Sequence, residues 1–127
     1  MHTGHQGVIE INTKEEGKIP ATDIERTLID LSVRPVYSGG VVEVLKAYQL
    51  AKERIEIDVF ANLYKALGYK YPYHQVIGFY LERSGYDDAS VRLFKEFERK
   101  FDFYLVHGMR EMSYSETWRL YYPKGLD

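Results

Sequence analysis

The sequence has no cysteine, no basic excess and no long apolar run, and each absence removes a class of function. Without a thiol the chain can form no disulfide and do no thiolate chemistry, and it is compatible with a reducing compartment. No apolar stretch approaches the roughly 18 to 20 residues that span a bilayer, and the chain does not start with a basic-then-apolar signal. The expectation is a cytoplasmic protein with no membrane partner. A formal charge of −2 argues against a domain whose affinity comes from neutralising many phosphates, and leaves room only for a local basic patch. A P-loop, a dinucleotide fingerprint and a zinc-protease motif are also missing. "SGGVV", from Ser38, is a glycine pair at a helix start, where free amides and the helix dipole could hold an anion. A tight chain reversal after Pro35 accounts for the same glycines more simply.

What is present is one domain's worth of chain, 127 residues, with the balance of apolar and charged groups of a soluble globular protein. The unusual component is aromatic: 12 Tyr, 6 Phe and 1 Trp. A tyrosine buries a large ring while its hydroxyl still needs a partner or water, so an excess of them lines core margins or contact surfaces.

The hydrophobic pattern orders the chain. "GVIEIN", from Gly7, alternates as a half-buried strand does, and "TKEEGKIPA" turns around Gly17 into a second strand. Thr22, with Glu25 three residues on, forms a capping box for a first helix whose face is Ile24, Thr27, Leu28 and Leu31, and Pro35 stops it. A second helix follows Gly40 with Val41, Val44, Leu45 and Tyr48 inward. A third, 58–67, is capped by Asp58 and ended by Gly68, and a fourth, 73–84, is apolar around much of its circumference and belongs at the centre. Asp87 or Asp88 caps a fifth. "FDFYLVHG" reads as a strand with Phe101, Phe103 and Leu105 on one side, "MREMSYSE" as a loop and "TWRLYY" as a matching strand. The expected fold is α+β, about five helices packed against a small, mainly antiparallel sheet, in a single domain over 1–127.

Few residues carry chemistry. His2 and His5 lie near the end of the chain and do not make a metal site, while His74 and His107 read as structural or surface histidines without a triad around them. No paired-carboxylate or nucleophile arrangement can be located from spacing, so no catalytic residue, metal or cofactor is assigned and the expectation is not an enzyme. Helices 58–67 and 73–84 have the outline of a helix-turn-helix, which makes a DNA-binding regulator the alternative reading. Yet the second of them offers bases only His74, Gln75 and Arg83 amid apolar residues.

The stretch "ATDIERTLIDLSVRPVYSGGVVEVLKAY", followed at a suitable distance by "VIGFYLERSGY", resembles the C-terminal domain of the AbiEi family of abortive-infection antitoxins, from type IV toxin–antitoxin systems. The features that carry the resemblance are Glu25, Arg26, Thr27 and Leu28 with Asp30, then Pro35, Gly39 and Gly40, then Gly78, Leu81 and Glu82. They cover about Val8 to Gly85, and the last forty or so residues fit loosely. The resemblance implies an antitoxin that counters a nucleotidyltransferase-like toxin, by contact with it or through its target, and often a repressor of its own operon. In that family repression resides in an N-terminal winged helix-turn-helix, whereas this chain starts with what resembles the second domain. Either it is a piece of a longer protein or this member lacks the DNA-binding half.

Physically, Arg26 and Asp30 are spaced to pair across one helical turn. If the Arg26 guanidinium is buried, it can instead clamp the turn from Pro35 to Gly40 and lock the first two helices. The scaffold role is assigned to Glu25, Arg26, Thr27, Asp30, Pro35, Gly39, Gly40, Gly78 and Glu82. Arg34, Tyr37, Glu82 and Arg83 are the candidates for a partner surface.

Overall fold

The computed structural model describes the backbone of residues 8–13, 17–35 and 40–126, and side chains from Ile24 onward. Strand β1 (Val8–Thr13) pairs antiparallel with β2 (Gly17–Thr22), Val8 opposite Thr22 and Thr13 opposite Gly17. Five helices follow: α1 (Asp23–Val33), α2 (Val41–Ala51), α3 (Ile57–Leu67), α4 (Tyr73–Arg83) and α5 (Asp88–Lys95). The chain then makes three short strands, β3 (Phe103–Tyr104), β4 (Met112–Ser115) and β5 (Leu120–Pro123). The fold is α+β, with the strands in two separate sheets rather than one. The second sheet has the order β3-β5-β4, with β5 parallel to β3 and antiparallel to β4.

The stop signals are where local chemistry puts them. Gly68 follows α3 with φ 62° and Gly85 follows α4 with φ 84°, both in the left-handed region that costs glycine nothing. The Asp87 carboxylate accepts the Ser90 amide at 2.8 Å and so caps α5. The start of α3 differs from expectation: Glu56 is the N-cap and Asp58 lies in the first turn.

Helix α4 is the centre. All seven residues from Gln75 to Leu81 are buried, and the helix touches α1, α2, α5 and β5. Around it Tyr48 stacks on Tyr80 with centroids 5.0 Å apart, and Phe60 packs on Phe94. The Tyr48 hydroxyl shares a 2.6 Å hydrogen bond with Ser32, whose Oγ also reaches the Leu28 carbonyl at 2.7 Å. Buried in this way, the Tyr48 hydroxyl is far harder to ionise than in water, burial being the main cause.

The inward face of α1 is turned from the expected one. Glu25, Leu28, Ile29 and Ser32 are buried, Ile24 and Leu31 are half-buried, and Thr27 is exposed. An apolar-only count misplaces this stripe because both of its ends are polar. In the C-terminal part, Phe101 is 68% exposed and the predicted strand there shrinks to Phe103–Tyr104. The expected loop contains β4, and the expected strand from Thr117 starts only at Leu120 because residues 116–119 are a turn.

Candidate functional site

The residues that carry the family resemblance fall into two groups. In the first, Glu25 on α1 is fully buried and its Oε2 accepts the Glu56 amide at 2.7 Å. That amide opens α3, so the carboxylate satisfies an orphan donor on a different helix and sits at the positive end of its dipole. On the outside of the same helix, the Arg26 Nε donates to Asp30 Oδ1, one turn on, at 3.2 Å. The two side chains keep 37% and 49% exposure. The first of the two alternatives for Arg26 is the one seen: with Asp30 it makes a largely exposed i,i+4 pair, of the kind that adds about 0.3 to 0.5 kcal/mol. Pro35 is buried, and its carbonyl accepts the Gly40 amide at 3.0 Å. Gly40 has φ 116°, a conformation in which a side chain would be strained. Tyr37 and Gly39 lie outside the described residues, and Arg34 is exposed.

The second group converges on Trp118. Gly78 leaves no room for a side chain, since a Cβ there would come within 2.2 Å of the Trp118 ring. One turn on, Glu82 Oε1 accepts the indole Nε1–H at 2.9 Å. One turn back, the Gln75 amide nitrogen faces the carbonyls of Trp118 (2.8 Å), Arg119 (3.1 Å) and Phe101 (3.1 Å). Residues 75, 78 and 82 form one stripe of α4, so a single helical face receives the whole C-terminal segment. Trp118 has no exposure at all. The turn that delivers it includes Arg119, a non-glycine residue at φ 50°. Arg119 is held there by bonds to Asp102 Oδ1 at 3.1 Å and the Lys100 carbonyl at 2.6 Å. The Tyr114 hydroxyl, 2.7 Å from Asp102, and Arg119 keep that carboxyl below its ordinary pKa.

Two expected partner-surface residues have internal jobs. Glu82 anchors the indole, although its own side chain remains at the surface. The Arg83 guanidinium is half-buried over the rings of Phe79 and Tyr122, 4.8 Å from each centroid, a cation–π arrangement.

At the N-terminal end of α4, the α3–α4 turn and residues 97–101 enclose an open groove of about 420 Å3. Lys65, Lys70 and Lys100 rim it beside Tyr71, His74 and Phe101. Tyr71 is 61% exposed, with its ring stacked on Phe103 at 6.4 Å and 11°. His74 is half-buried; burial lowers its pKa, and its Nε2 lies 2.7 Å from the Glu98 carbonyl. A carbonyl only accepts, so Nε2 carries the proton and Nδ1 is the acceptor.

The same geometry bears on the helix-turn-helix outline. A recognition helix lays one face in a major groove. With Gln75 to Leu81 all buried and Gln75 committed to three carbonyls, α4 has no such face to offer. Sequence patterning missed Gln75, Trp118 and Phe101 as organising residues. A polar residue in an otherwise apolar buried run was the available signal for Gln75, and the only tryptophan in the chain was the signal for Trp118. Among the described residues no group of three or more His, Asp or Glu side chains could hold a metal ion. No helix among them is long and apolar enough to cross a membrane.

Comparison with protein-family models, with curated proteins and with solved structures finds no match.

Proposed function

We propose that the chain is an antitoxin-like regulatory domain that counters a nucleotidyltransferase-like toxin by binding, without chemistry of its own. The ordered motif from Glu25 to Glu82 is the basis for the family, and the acids of that motif have structural work. Glu25 holds the α3 amide, Asp30 pairs with Arg26 and Glu82 holds the indole.

The observation that carries the binding part is the apolar depression beside the motif. Exposed Thr27 and the edge of the buried Leu28 line a shallow, mainly apolar groove between α1 and α2, together with Ile24, Ala47, Leu50 and Arg54. Leu50 is 80% exposed. An exposed leucine in an apolar depression beside the motif is the kind of surface that contacts another protein. The partner in this reading is the toxin itself.

The test is growth rescue on coexpression with the nucleotidyltransferase-like toxin of the neighbouring gene. Rescue by the natural protein, and its loss with Leu50→Asp in a chain that still unfolds cooperatively, is the expected result. Failure of the natural full-length protein to rescue removes the antitoxin reading. Rescue that Leu50→Asp leaves intact removes this contact face.

A further inference from the structure

We propose that the groove between the α3–α4 turn and residues 97–101 is a binding site for an unpaired nucleotide, whose base stacks on Phe101 and Tyr71 and whose phosphate lies against Lys65 and Lys70. This inference stands on the groove alone and is independent of any toxin.

Three features select that ligand. The first is open ring faces. Phe101 is 68% exposed and, among the described residues, makes no contact with another aromatic ring, while Tyr71 is stacked on Phe103 and still 61% exposed. Flat apolar faces left in water beside a cavity are the platforms on which bases stack, and stacking tolerates any base because every base has a π face.

The second is charge. The chain is net negative, yet the groove's lining carries three lysines and one glutamate. Lys100 pairs with that glutamate, Glu98, at 3.2 Å. Lys65 and Lys70 have no carboxylate partner among the described residues, and both are exposed. Two cations at the rim of an aromatic cavity suit a phosphate joined to a base. An acidic peptide would meet the lysines and leave the rings without a flat partner.

The third is size and polarity. A groove of about 420 Å3 has room for one nucleotide and not for a duplex. On its lining, His74 supplies a polar ring beside the aromatic ones, its Nε2 bonded to the Glu98 carbonyl.

A free nucleotide and a single strand share this chemistry. The experiment is equilibrium binding at low salt of a fluorescein-labelled single-stranded oligoadenylate RNA to the full chain, with AMP as competitor. Saturable binding is expected, weakening with salt at a log–log slope near −0.7 for each phosphate neutralised. Phe101→Ala should weaken it by about tenfold, within the range seen when a stacking ring is removed. Lys70→Ala should flatten the salt dependence by about one phosphate's worth. Both residues are exposed, so neither change should unfold the chain.

Displacement by AMP assigns the groove to free nucleotides, and failure of AMP against a bound oligonucleotide assigns it to a strand; either result supports the site. Absence of binding at low salt overturns the proposal. So does binding that both substitutions leave unchanged, and so does tighter binding of polyglutamate than of the RNA.

Discussion

Trp118 and Phe101 are tied to the same side-chain amide, that of Gln75, which faces both of their carbonyls, and their rings have opposite fates. The indole is fully buried against Gly78 with its N–H on Glu82, whereas the phenyl ring is 68% exposed at the rim of a lysine-edged groove. The C-terminal segment is therefore closed where Trp118 meets the Gln75–Gly78–Glu82 stripe and open where Phe101 borders the groove. A ring whose every face and polar atom is satisfied contributes to stability, and a ring held at a fixed place with its face in water contributes contact surface. The difference assigns separate jobs to two parts of one segment, and it can be broken from either side.

Removing the closed side should have the largest effect. Trp118→Ala should cost about 3 to 5 kcal/mol, as deleting a buried tryptophan does, and would take away much of a small domain's margin. Urea unfolding with an unchanged slope would measure it. A cost below about 1 kcal/mol would show that Trp118 is not the plug described. Filling the same contact should be next. Gly78→Ala places a Cβ 2.2 Å from a ring that is itself buried. A net loss of about 2 kcal/mol is expected, overpacking being offset in part by alanine's better helix propensity. In the double variant Gly78→Ala with Trp118→Ala the clash is gone, so Gly78→Ala should turn neutral or stabilising there. Simple additivity would contradict the contact.

Glu25 belongs with the closed side although it lies at the far end of the motif. Glu25→Ala leaves the half-buried Glu56 amide without its acceptor, for an expected loss of about 1 to 2 kcal/mol. Glu25→Gln retains an oxygen and should recover part of it. Amide hydrogen exchange at Glu56 would report the loss locally.

Element types were largely legible in the sequence, because capping acids, stop glycines and helical spacing are local signals. Gly68, Gly85 and Asp87 act within a few residues of where they stand. What was not legible depends on distant partners. The capping-box pattern at Thr22 and Glu25 marks a helix start correctly. It cannot show that the Glu25 carboxylate crosses 31 residues to the Glu56 amide, or that the stripe on α1 runs through Glu25 and Ser32. The C-terminal segment is the least legible for the same reason. Its strands are two to four residues long, too short for alternation to declare them, and α4 rather than local propensity fixes them. Of the motif, Gly78 and Glu82 could be noticed as a pair one turn apart, but not as the two halves of a seat for Trp118.

His74 lies on the open side and provides a smaller, pH-dependent handle. Burial lowers its pKa from 6.5, so the unfolded chain takes up the proton first as pH falls. Its contribution is fully present above the unfolded value and is lost as pH falls from about 6.5 toward the lower folded value. Stability should therefore decline in mild acid with a slope of less than one proton. His74→Gln should remove that slope, and an unchanged profile would place the titrating group elsewhere.

The smallest effect on stability should come from the residue that defines the open side. Phe101→Ala removes a ring that is mostly in water while leaving the backbone carbonyl that Gln75 holds, so unfolding should shift by less than about 0.5 kcal/mol. The contrast with Trp118→Ala, several kcal/mol against almost none for two rings anchored by one amide, is the quantity to measure. If Phe101→Ala proved as costly as a core deletion, the ring would be packing against something in solution, and the groove beside it would be closed. If it is as inexpensive as expected, an exposed phenylalanine retained at the edge of a basic cavity has no part in holding the fold, and its face is free to stack on a ligand.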